Sequence, residues 1–151
     1  MRKPLSIGVA TLAVALSLGL AACGSSDDSS DDALSNADLI AQANEICTDY
    51  DNKTVEVLES TGLDDKSSDQ EVAAFISDEV VPLYESQIEE LRALQPNEDD
   101  ADAYNDILDT FESELAAVKE DPEGSIAEEN PFGEATAKAD EFGLTVCGSN
   151  S

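Results

Sequence analysis

"ADAYNDILDTFESELAAV", Ala101 to Val118, is the stretch that decides the fold. Ala101, Tyr104, Leu108, Phe111, Leu115 and Val118 follow one another at alternating steps of three and four. That is heptad spacing, which puts one apolar seam along a helix and requires a partner helix to cover it. Asn97 stands ahead of the run as an N-cap, and Glu98, Asp99 and Asp100 fill the first turn, where the helix dipole favours negative charge. Asp121-Pro122 ends the helix, and "EGSIAEEN", residues 123–130, reads as a loop.

The flanking segments supply the partners. Upstream, Ser68-Asp69-Gln70-Glu71 has capping-box spacing directly before an apolar run of Val72, Phe75, Ile76, Val80, Leu83, Tyr84, Ile88, Leu91 and Leu94. Pro82 lies inside this run and is expected to kink the helix, because it lacks an N–H and crowds the preceding turn. Further upstream, Ser35 or Asn36 caps a helix expected to reach about Ser60. Its stripe is Leu39, Ala43, Ile46, Cys47, Tyr50, Thr54, Val57 and Leu58, and Gly62 stops it. Downstream, Asn130-Pro131 reads as N-cap and first residue of a short helix with Phe132, Ala135, Ala139 and Phe142 on one face and Gly143 as C-cap. Leu144 and Cys147 are then expected to pack back on the body. No strand pattern of useful length occurs. The expected fold is all-α, an antiparallel bundle of about four helices, the last one short, over residues 36–151.

The chain begins with Met1-Arg2-Lys3, followed by the apolar run "LSIGVATLAVALSLGL", Leu5 to Leu20. The run is shorter than the roughly 18 to 20 residues a membrane-spanning helix needs. It is followed by acidic rather than basic residues. A positive start, a short apolar core and small residues before the cleavage point describe an export signal over residues 1–22.

Leu20-Ala21-Ala22-Cys23 resembles the bacterial lipobox. Membership of that lipoprotein class implies thioether lipidation of Cys23, cleavage before it, and acylation of the new amino terminus. Two or three acyl chains hold a protein stably on a bilayer, where one does so marginally. The implied location is the outer, extracytoplasmic face of the cell membrane. Residues 23–35, rich in Ser, Asp and Gly, read as a flexible acidic tether. The body, with a cysteine in its first helix and "FGLTVCG" at 142–148, resembles small exported lipoproteins of actinobacteria. That resemblance carries over no activity.

Cys47 and Cys147 remain. In an oxidising, exported setting an even pair reads as a disulfide. A metal or redox pair is the alternative, disfavoured because the chain has no His and no CxxC. By the chain-entropy estimate such a bridge contributes about 4 to 5 kcal/mol.

The chain carries 35 acidic and seven basic residues, for a net charge of −28. This excludes nucleic acid, which needs clustered Lys and Arg, and favours cations and basic partners. Without His there is no hydrolytic triad, and no feature picks out a catalytic carboxylate pair, so no enzyme is expected and no cofactor. Asp102, Asp106 and Asp109 share one helical face, which reads first as a solvated face; the three are weak candidates for Ca²⁺ or Mg²⁺. Asp100-x-Asp102 resembles an EF-hand opening, but the required glycine is replaced by Asn105. Tyr50, Tyr84 and Tyr104 read first as core residues with the hydroxyl at the bundle edge, and second as lining for a pocket between helices. A preformed pocket lined by Tyr84, Tyr104 and Phe111 would favour ligand binding. The expected function is a non-enzymatic anchored domain binding a basic protein or cell-envelope partner. The alternative is a small-ligand or divalent-cation binding lipoprotein serving a transporter.

Overall fold

The computed structural model describes residues 33–148. The expected signal segment, the expected lipidation site at Cys23 and the expected tether up to residue 32 lie outside the described residues. Among these, the fold is all-α, and the only bridge pairing is an isolated one between Leu34 and Pro96. No described helix is long and apolar enough to cross a membrane.

Helix α1 is Asn36–Thr61. Its N-cap is Ser35, whose hydroxyl accepts from the Asp38 amide at 3.2 Å. Gly62 closes it in the left-handed region at φ 72°. Helix α2, Asp69–Phe75, opens with the expected capping box. Ser68 N donates to Glu71 Oε2 at 2.8 Å, and Glu71 N donates back to Ser68 Oγ at 3.3 Å.

Pro82 acts differently from a simple kink. The chain passes from α2 through a π-helical turn, Ile76–Val80, into α3, Val81–Arg92. Val81 N donates five residues back, to the Ile76 carbonyl, so the turn widens just before the residue that has no donor. The extra residue also advances the buried face by one. Val81 is therefore in the core, while Val80, the expected core residue, is half-buried.

Helix α4, Glu98–Glu120, is the heptad helix. The Asn97 side chain accepts from Asp99 N at 2.9 Å and from Asp100 N at 3.1 Å. Its seam is buried from Tyr104 to Val118, and Ile107, outside the heptad stripe, is buried as well. The segment 123–130 was expected to be loop throughout. Instead α5, Pro122–Ile126, forms at once, with Asp121 Oδ1 accepting from Gly124 N at 2.9 Å. The Asp-Pro pair that stops one helix is also an N-cap and first residue for the next. Helix α6, Gly133–Phe142, starts later than Asn130-Pro131 suggests. Asn130 Oδ1 accepts from Phe132 N at 3.0 Å, an Asx-type turn that holds the chain out of the helix. Gly143 ends α6 at φ 104°.

Pairs of contacts define the direction of each helix. Leu34, just before α1, meets Gln95 while Tyr50 meets Glu90; Arg92 meets Asp109 while Glu85 meets Lys119; Asp106 meets Lys138 while Glu114 meets Glu134. Helices α1, α3, α4 and α6 therefore run antiparallel in succession. The bundle holds α1, the α2–α3 rod, α4 and the short α6, with α5 as an added turn against α2. Leu39, Ala43, Cys47, Leu108, Ala135, Ala139 and Leu144 lie at its centre. Leu34, expected in the tether, belongs to the body: its N–H donates to the Gln95 carbonyl at 2.7 Å and its side chain packs on the core.

Cys47 and Cys147 form the expected disulfide, with Cα atoms 5.3 Å apart. It joins the tail to the middle of α1. Beyond Tyr50 the stripe of α1 loses its cover, because α2 turns away to pack on α5. Leu58 is 46% exposed and Val55 56%.

Candidate functional site

The overhang of α1 leaves an open cleft of about 180 Å³ beside the disulfide. Asp51, Thr54 and Val55 form its α1 wall, Tyr84 and Gln87 come from α3, and Phe111 comes from α4. Phe132 and Thr136 add the start of α6, and Val146 and Cys147 add the tail. Bridging to Cys47 therefore places the tail as one wall of the cleft. The Val146 amide also donates to Asn44 Oδ1 at 2.9 Å, which fixes that wall a second time.

The floor is aromatic. The Tyr84 and Phe132 rings stack with centroids 4.7 Å apart and planes 15° from parallel. Phe111 tilts against Phe132 at 6.2 Å. Among the described residues the Asp51 carboxylate makes no hydrogen bond and no ion pair, and burial raises its pKa above the usual carboxylate value. Tyr84 is half-buried; burial raises its hydroxyl pKa, and the negative charge of Asp51 adds to the effect. A carboxylate, a phenol and two phenyl rings thus face one small space.

Tyr104, read from sequence as a core residue first and a pocket residue second, does not line this space. It is 1% exposed, its hydroxyl donates to the Leu91 carbonyl at 2.9 Å, and its ring lies 6.0 Å from Phe142. It is a core residue with its polar end satisfied. The carboxylate face of α4 carries ion pairs to neighbouring helices. Asp106 pairs with Lys138 at 2.9 Å and Asp109 with Arg92 at 2.5 Å, while Asp102 is exposed. Two of the three carboxylates therefore already hold cations from the chain itself, and no cluster suited to a metal occurs among the described residues.

A second, larger groove of about 480 Å³ runs between α3 and α4. Ile88, Leu115 and Ala116 floor it, and the Glu85–Lys119 and Arg92–Glu112 pairs close its rims. With Lys138, these pairs engage Arg92 and Lys119 in contacts between helices. Lys53 lies over the Tyr50 ring, 3.7 Å from its centroid. Lys66, exposed in the turn after α1, is the one basic side chain among the described residues with neither an ion pair nor a ring contact, on a surface dominated by acids.

One further role escaped sequence reasoning. Glu114, on α4, accepts from Glu134 N at 3.0 Å with one carboxylate oxygen and from Ala135 N at 3.1 Å with the other. It caps α6 from a neighbouring helix, where Asn130 was expected to do so. No local motif signals a cap supplied across the bundle.

No protein-family model matches the chain, and no curated protein or solved structure matches it either.

Proposed function

We propose that the protein is a non-enzymatic helical domain, lipid-anchored through Cys23 on the outer face of the cell membrane, that binds a basic protein or cell-envelope partner. One observation carries this reading. Arg92, Lys119 and Lys138 are held in ion pairs between helices, so the surface is acidic, and its open cleft is lined in part by exposed Val55, with exposed Leu58 one turn further along α1. Charge of one sign steers an oppositely charged partner toward the surface, and the exposed apolar edge supplies area to bury. The lipobox implies the anchor, and residues 23–32 supply a spacer long enough to hold the body clear of the headgroups.

The test is zero-length carbodiimide cross-linking on intact cells, which joins a carboxylate to a touching lysine. The expected result is Asp or Glu of this chain joined to lysines of one extracytoplasmic protein. Cross-links confined to the chain itself would overturn partner binding. In parallel, Cys23→Ser should move the protein from the membrane fraction to the medium, and continued retention on the membrane would overturn the anchor.

The preformed cleft also supports a second reading, a small-ligand carrier serving a transporter. At about 180 Å³ it falls short of the roughly 300 Å³ at which pockets for drug-sized ligands begin. The α3–α4 groove reaches that size at about 480 Å³, but its Arg92 and Lys119 are already paired with Glu112 and Glu85, which ranks that reading second.

A further inference from the structure

We infer that the cleft beside the disulfide receives one lysine or arginine side chain of a polypeptide partner, its charged head at Asp51 and its stem along Tyr84, Phe111 and Phe132. The inference rests on the partner-binding reading above and names the group that the partner presents.

Charge complementarity comes first. Asp51 is the sole acidic residue lining the cleft. Its carboxylate is partly buried and, among the described residues, has neither hydrogen bond nor ion pair. A carboxylate drawn out of water without a partner is unfavourable, and a cation set against it offsets the cost. The chain does not supply that cation. Lys53, the nearest base in sequence, is held over Tyr50; Arg92, Lys119 and Lys138 are paired elsewhere; and Lys66, exposed in the turn after α1, makes no ion pair with Asp51.

The aromatic floor fits the same group. Ring π-surfaces attract ammonium and guanidinium heads, and more strongly where water is excluded. Long basic side chains also lay their methylene stems on apolar surface while the charged end finds its partner. The volume is that of one long side chain rather than of a folded ligand. Val55, exposed in the α1 wall of the cleft, and Leu58, exposed one turn further along α1, offer apolar surface to residues flanking the inserted one. A free amine has no use for that apolar edge, so a polypeptide is the better occupant.

The experiment is an NMR titration of the ¹⁵N-labelled full chain in detergent micelles at constant ionic strength. The probes are acetyl-Leu-Lys-Ala-amide, the same peptide with norleucine for lysine, and n-butylammonium chloride. The lysine peptide should shift the signals of Asp51, Tyr84 and Thr136, and the norleucine peptide should bind about tenfold more weakly. Asp51→Asn, which keeps the side-chain shape, should weaken the lysine peptide by a similar factor, while Asp102→Asn on exposed α4 surface should leave it unchanged. Unperturbed spectra of both variants establish that each is folded.

Equal weakening by the two variants, or equal binding of the two peptides, would overturn the inference. Binding of n-butylammonium as tight as the lysine peptide would overturn the polypeptide as occupant and leave a free-amine site. If the peptide misses the cleft while cross-links to a partner persist on other carboxylates, the inference falls and the partner-binding reading stands. If both fail, both fall.

Discussion

Tyr50 shows how one residue ties packing to solution behaviour. It is 5% exposed on α1, and its hydroxyl donates to Glu90 Oε1 at 2.7 Å. Burial, with help from the Glu90 bond and charge, pushes its pKa up to about 12 from the usual 10.0. The unfolded chain ionises this group first, so its contribution is complete below about pH 10 and is lost as pH rises toward 12. Tyr84 and Tyr104 are raised too, both chiefly by burial, and act in the same direction. Urea midpoints should therefore stay level up to about pH 10 and fall across the next two units, less steeply in Tyr50→Phe. A level midpoint through that window in the parent chain would refute the assignment. The burial of Tyr50 was legible from its place in the α1 stripe; its partner, forty residues away, was not.

Each element owes its ends to a few polar groups, and those groups differ in how visible they are. The caps at Ser35, Ser68 and Asn97 bond within their own first turn, so spacing alone reveals them. The cap of α6 comes from Glu114, and its identity depends on how α4 and α6 lie together. Glu114→Ala should destabilise the fold by about 1 kcal/mol, the usual cost of a lost cap. Amide exchange should rise most at Glu134 and Ala135. Unchanged exchange there would remove the capping role. Pro82 makes the same contrast. Its missing donor predicts a distortion, but only the structure shows a π-turn that exchanges Val80 for Val81 in the core.

At the scale of the whole molecule, the chain carries a net charge of −28, most of it on one small bundle. Its surface ion pairs contribute little each, on the order of 0 to 1 kcal/mol, so self-repulsion dominates the electrostatics. Sodium chloride should raise the thermal midpoint by screening that repulsion. Calcium chloride at matched ionic strength should raise it by the same amount, because Asp106 and Asp109 are already held by Lys138 and Arg92. A clear excess with calcium would mean that the ion displaces those lysine and arginine partners, and would restore the α4 face as a cation site. The disulfide works at this scale too, since it spans 100 residues and anchors the tail that walls the cleft.

Sequence by itself determined the helical class, most helix boundaries, the pairing of Cys47 with Cys147, and Tyr84 and Phe111 as candidates for an interhelical pocket. These follow from periodicity, capping and cysteine number, which act within a turn or by elimination. Only the tertiary structure decided that Tyr104 lies in the core rather than the cleft, that α1 overhangs its neighbours, and that Asp51 faces an aromatic floor. The cleft gathers residues from Asp51 to Cys147, on elements whose relative rotation is set by the packing of the whole core. An apolar stripe records that a helix face can be buried; whether a neighbour reaches far enough to bury it depends on the lengths and crossings of the other helices.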